Sequence, residues 1–324
     1  MRYPAFIPFV FLMSLLADSK PVLAQDYETE FTVAQDGTGD FTSIQAAIDA
    51  SKTFPYERIT IHLKNGIYKE KVEVYPWNPN ISLIGESRDG AIITFDDYFD
   101  KMQRGRNSTI HTYTLRVRGN DFHAENLTIV NSSGPVGQAV ALHIEADRVA
   151  IVNTTLKGYQ DALYVAGEAY RSYFRDCYIE GSVDFIFGEG TALFENCEIK
   201  SLDNGYVTAA STPQGIEFGF VFNHCVLSAD KGVDKVYLGR PWRQFAKTVF
   251  MNSKLGAHIL PAGWHNWDRA ANETTVYYAE YANSGIGAHT GDRVPWSHPL
   301  SGDEARKYTI ENIFRGWNPA QYNH

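Results

Sequence analysis

Cysteine, positive charge and long apolar runs are all scarce in this 324-residue sequence. Cys177, Cys197 and Cys225 form an odd set with no CxxC pair, which argues against a disulfide framework and against a cysteine-built zinc site. Lys and Arg number 29 against 38 Asp and Glu, and the formal charge of -9 is a poor basis for nucleic-acid binding. No apolar stretch is long enough to span a bilayer, so the mature chain is expected to have no membrane contact. The ten histidines show no HExxH or similar ligand spacing. They are read mainly as surface or loop residues, and neither metal nor cofactor is expected. The GxSxG turn of serine hydrolases is absent as well.

What is present begins with an export pattern: Arg2, an apolar stretch from Phe6 to Leu16, and Val22-Leu23-Ala24 with small residues at a cleavage position. Residues 1–24 are read as a signal peptide, which makes the protein secreted, extracellular or periplasmic. Residues 25–324 then form one elongated domain. With 44% hydrophobic residues it has enough apolar side chains for a large core.

Self-comparison decides the fold class. Six segments share an apolar, Asn-like, small, aliphatic pattern, with the Asn-like residue at 126, 153, 176, 196, 224 and 252. The intervals are 27, 23, 20, 28 and 28 residues. Irregular periods of this size, in β-rich pieces without helical periodicity, predict a β-solenoid whose loops vary from coil to coil. Asn126, Asn153, Asn196 and Asn252 should stack at one corner as an amide ladder. Phe174, Phe194, Phe222 and Phe250 should stack inside, with the three cysteines as small buried hydrophobes. Thr42-Ser43-Ile44-Gln45 reads as a capping box that opens a helix over the N-terminal end, and the segment after about Asp292 as a tail packed on the last coils.

Counting five residues on from the aliphatic repeat positions Leu156 and Ile179 gives Asp161 and Asp184. The two carboxylates thus share one position on successive coils, roughly 4.8 Å apart in backbone spacing. Two like charges at that distance raise one pKa, leaving a proton donor beside an ionised partner. The alternative is a pair of turn aspartates serving local amides.

Five segments then match, in order, those of the pectin methylesterases: Gly66-Ile67-Tyr68-Lys69-Glu70, Gln138-Ala139-Val140-Ala141-Leu142, Tyr159-Gln160-Asp161-Ala162-Leu163-Tyr164, Gly181-Ser182-Val183-Asp184-Phe185-Ile186-Phe187-Gly188 and Leu238-Gly239-Arg240-Pro241-Trp242. Pro261-Ala262-Gly263-Trp264 agrees too. Through nearly all of the mature chain the sequence resembles that family. The resemblance implies a right-handed parallel β-helix that demethylates galacturonate esters in pectin, without cofactor and as a monomer. It makes Asp184 the nucleophile, Asp161 the acid and base, Arg240 the residue that holds Asp184 ionised, and Gln138 and Gln160 oxyanion donors. Trp242 and Trp264 would stack sugar rings, and Phe185 would line the site. The departures from the family pattern are Ala162 and Ser182, where Thr is usual, and a loop from Val165 to Phe174 two residues longer than in plant members. Competing readings on the same scaffold are a polygalacturonase, a pectate lyase and a non-catalytic polysaccharide-binding β-helix.

Overall fold

A computed structural model describes residue 1 and residues 27–319, so the signal-peptide reading of residues 1–24 falls outside the described residues apart from Met1. The chain winds as a parallel β-helix. Among the described residues one sheet has eleven strands and the other thirteen. Strands Val149–Val152, Arg171–Arg175, Thr191–Glu195, Phe220–Asn223 and Lys247–Met251 follow one another in parallel in the first sheet. Thr155–Lys157, Tyr178–Gly188 and Glu198–Ala210 do so in the second.

The register brings the six Asn-like positions over one another between the two sheets. All six have positive φ, from 42° to 56°. A left-handed residue must turn each corner, and Asn, Asp and His tolerate that region better than other side chains. The amide ladder itself is only partial. Asn153 Nδ2 donates to Asn126 Oδ1 at 2.6 Å, but Asn252 donates to Asn223 rather than to the preceding corner, which is His224. The repeat therefore reflects a backbone requirement more than side-chain pairing.

Inside the solenoid, Phe174, Phe194, Phe222 and Phe250 are fully buried and stack face to face, with centroids 4.6, 4.4 and 4.3 Å apart. Cys177, Cys197 and Cys225 are free and buried on adjacent coils, and burial pushes the thiols of Cys177 and Cys197 well up. Three histidines, His123, His143 and His258, are also buried.

The N-terminal cap is the helix Ile44–Ala50, and its N-cap is Ser43, one residue later than the sequence pattern suggests. Its first two amides, Ile44 and Gln45, donate to the carboxylate of Glu70 at 2.9 and 3.0 Å. Tyr68 donates from its hydroxyl to the carbonyls of Val33 and Lys64. The Gly66–Glu70 segment is thus a fastening for the cap, away from any chemistry. Glu70→Ala is expected to cost about 1–2 kcal/mol of stability by orphaning those amides while leaving turnover unchanged, as thermal unfolding and an activity assay would show.

At the other end, the helices Gly302–Ala305 and Ile310–Phe314 carry the tail back over the outer face of the first sheet. There Ile313, Phe314 and Trp317 pack with Tyr173, Leu193, Val221 and Met251, several coils away from the end. The last coil is closed by a buried ion pair, Arg293 to Glu280 at 2.7 Å.

Candidate active site

Leu163 pairs with Ile186 and Tyr164 with Phe187, so Asp161, in the turn before Leu163, and Asp184 lie across from one another on adjacent coils. Both have positive φ, 63° and 52°. The pairing of Tyr178–Gly188 with its following neighbour slips between Gly181 and Ile186, and such a bulge re-aims side chains that regular alternation would direct elsewhere. Gly181 is required here: an added Cβ would lie 2.2 Å from Cβ of Phe185 and 2.8 Å from the Tyr159 carbonyl oxygen. The glycine lets the chain fold tightly enough to tuck Phe185 beneath the site.

Arg240 grips Asp184 with both prongs, Nε to Oδ1 at 2.8 Å and Nη2 to Oδ2 at 2.7 Å. Its guanidinium is sandwiched between the rings of Tyr206 and Trp267, 3.8 Å from each centroid. This stacking fixes the plane of the fork, and a planar fork matches a carboxylate in a way that an ammonium does not.

The two carboxyls differ in electrostatic setting. Burial pushes Asp184 up, and the bidentate guanidinium opposes that push. Asp161 is raised well above the usual carboxylate range, first by burial and then by the neighbouring Asp184, with a smaller opposing pull from Arg240. The pair can thus hold one proton, on Asp161, beside an anion kept on Asp184.

Gln138 and Gln160 bridge in parallel on adjacent coils just before this pair. They line a cleft of about 520 Å³ together with Asp161, Asp184, Arg240, Tyr164, Phe187, Trp242 and Trp267. One wall comes from Arg106, Asn107, Thr109 and Ile110, on a loop tied down beside Gln138 by the Phe99 N–H donating to the Gln138 carbonyl at 2.9 Å.

The pectinesterase family profile matches residues 30–317. The chain belongs to the pectinesterase family. It is 40% identical to Pectinesterase 31 of Arabidopsis thaliana over 84% of this chain and 88% of that protein. It spans 53% of a longer Arabidopsis relative, probable pectinesterase/pectinesterase inhibitor 23, at 38% identity. Its fold is similar to that of the pectin methylesterase from carrot, with a TM-score of 0.83 at 33% identity over 90% of this chain and 95% of that one. The pectin methylesterase PemA of Erwinia chrysanthemi gives a TM-score of 0.78 at 28% identity over 91% and 99%. The chain is a carboxylic ester hydrolase with pectin methylesterase activity.

Within this pectinesterase two aromatic positions differ from the sequence reading. Trp264 is 1% exposed and packs against Phe250 and Tyr278 in the core, so no sugar can reach its face. Three residues on, a left-handed turn at Trp267 and Asp268 brings Trp267 to the cleft in its place. Phe185 likewise has no exposed surface, because the bulge at Asp184 turns Phe185 and Ile186 both into the core. Phe187 faces the cleft instead, stacked at 4.5 Å on Tyr164, with Trp242 edge-on to both. The sequence alignment of the two coils already sets Tyr164 over Phe187. That register was the available signal for both.

Proposed function

We propose that this pectinesterase hydrolyses methyl galacturonate esters through an acyl-enzyme on Asp184. The observation that carries the reading is the asymmetry of the pair: Asp184 is held by a bidentate, aromatic-clamped Arg240, and the half-buried Asp161 beside it has no such partner. An Asp184 oxygen attacks the C6 carbonyl, and the oxyanion that forms is met by the Gln138 and Gln160 side-chain amides. As the C–O bond to the methoxy group breaks, Asp161 delivers its proton and methanol leaves. Asp161, now ionised, takes a proton from water as that water attacks the galacturonyl carbon. The mixed anhydride then opens to free galacturonate and Asp184.

The ring faces of Tyr164, Phe187, Trp242 and Trp267 fit a sugar polymer lying in the cleft. A relative 29% identical to this chain is known in complex with a hexasaccharide, in keeping with such a ligand. In this reading residues 1–24 export the chain to a cell-wall substrate and the mature form acts as a monomer. Methanol release from highly esterified pectin, with no new reducing ends, is the expected result. New reducing ends would favour a glycoside hydrolase or lyase.

A further inference from the structure

Among the described residues four aromatic side chains are exposed: Phe54, Tyr56, Trp77 and Tyr170. Three of them, Phe54, Trp77 and Tyr170, are not scattered. Tyr170 lines a cavity of about 490 Å³ that shares Ile110 and Tyr164 with the catalytic cleft, and Pro76, next to Trp77, lines that same cavity. Phe54 adjoins Trp77 through its backbone, with the Phe54 N–H donating to the Trp77 carbonyl at 2.7 Å.

Both ends of this track are built to hold rings in place. One face of Trp77 lies on Tyr75, centroids 4.8 Å apart and planes 16° from parallel, and Gln45 Nε2 donates to the Tyr75 hydroxyl, leaving Trp77 44% exposed. Phe54 has φ 51° and is followed by the buried Pro55. A bulky residue at positive φ is a true outlier, and a following proline favours extended backbone, so this position is strained on two counts. Strain of this kind persists where the surroundings impose it, and here it turns a phenyl ring into solvent. Tyr170 lies over Gly167, where a Cβ would come 2.0 Å from its ring.

We infer that Tyr170, Trp77 and Phe54 form an aromatic track that binds further galacturonate rings of the same polymer, beyond the catalytic cleft on the side of the earlier coils. The strand Val72–Val74, which leads into Trp77, lies four strand steps from Tyr178–Gly188. At roughly 4.8 Å per step that is a reach of about 19 Å, so only a long chain can engage both. Continuity with the cleft selects the ligand, since a polymer leaving the cleft in this direction passes Tyr170 first. The inference rests on that cleft being the catalytic one.

The test compares high-ester pectin with a methyl-esterified galacturonate trimer, which fills the cleft alone. For Phe54→Ala with Trp77→Ala, KM for pectin should rise about five- to twentyfold with kcat unchanged, since stacking contacts of this kind are modest singly and act together. Trimer kinetics should not move. Phe54→Gly removes the ring and relieves the strain. It should keep or raise the thermal midpoint and still weaken pectin binding, an outcome that a purely structural role would not produce. Pectin retention in affinity electrophoresis on the Asp184→Asn background separates this inference from the catalytic assignment. There the ring variants should migrate faster than Asp184→Asn alone, whereas turnover persisting in Asp184→Asn would fault only the assignment. Equal losses on both substrates, no loss on pectin, or wild-type self-association abolished by the ring variants would overturn the track.

Discussion

Asp184→Asn is expected to lower kcat for methanol release by about 10⁴ or more whatever the ester, because no acyl-enzyme can form without the nucleophile. Asp161→Asn should be nearly as inactive on methyl esters, where methanol must be protonated to leave. The two part company on an activated aryl galacturonate ester, whose leaving group departs as a stable anion. Asp161→Asn should then acylate, release a burst of about one equivalent and stall for want of a general base. Asp184→Asn should give no burst. Stopped-flow absorbance of the released phenolate measures both. A burst from the Asp184 variant would place the nucleophile on the earlier coil.

Arg240→Ala should cost roughly 10³-fold in kcat/KM, in line with the ~3–5 kcal/mol expected when one partner of a buried ion pair is removed. The loss should carry a pH signature. Burial already raises Asp184 and the guanidinium restrains it, so the variant's Asp184 titrates at higher pH. The nucleophile works only when ionised, so activity that falls away on acidification should begin to fall at higher pH in the variant than in the parent. Arg240→Lys keeps the charge but not the fork or the stacking between Tyr206 and Trp267, and should recover only part of the rate. An acid limb that does not move in Arg240→Ala would mean that Arg240 orients the substrate rather than the nucleophile.

The legible parts of this protein were those that repeat. The six repeats restate the corner, four of them the inward phenylalanine and three the inward cysteine, so aligning the chain against itself locates them and places Asp161 over Asp184. What self-alignment missed lies where a coil departs from its neighbours. The irregular pairing around the left-handed Asp184 turns Phe185 into the core, although Phe185 falls beside Asp184 in a motif that the resemblance places at the site. Trp264 was assigned there from its motif, but the turn that exposes Trp267 depends on two further left-handed residues with no repeat to reveal them. The wall of Arg106, Asn107, Thr109 and Ile110 comes from a loop outside the repeat. Its position depends on tertiary pins such as Asn131, whose side-chain amide reaches the carbonyls of Asp97, Thr112 and Val140. The Glu70 clasp on the cap joins residues 26 positions apart, so no local capping pattern contains it. No capping box closes this helix: Ser43 accepts from the Ala46 amide, and alanine has no side chain to reach back to the N-cap.

If Asp184 carries the acyl group, that group can be trapped on it. Asp161→Asn protein mixed with the activated aryl ester, quenched in acid during the stall and digested at low pH, should yield a galacturonyl adduct on the peptide containing Asp184. An adduct on any other peptide, or a burst with no adduct at all, would show that Asp184 is not the nucleophile.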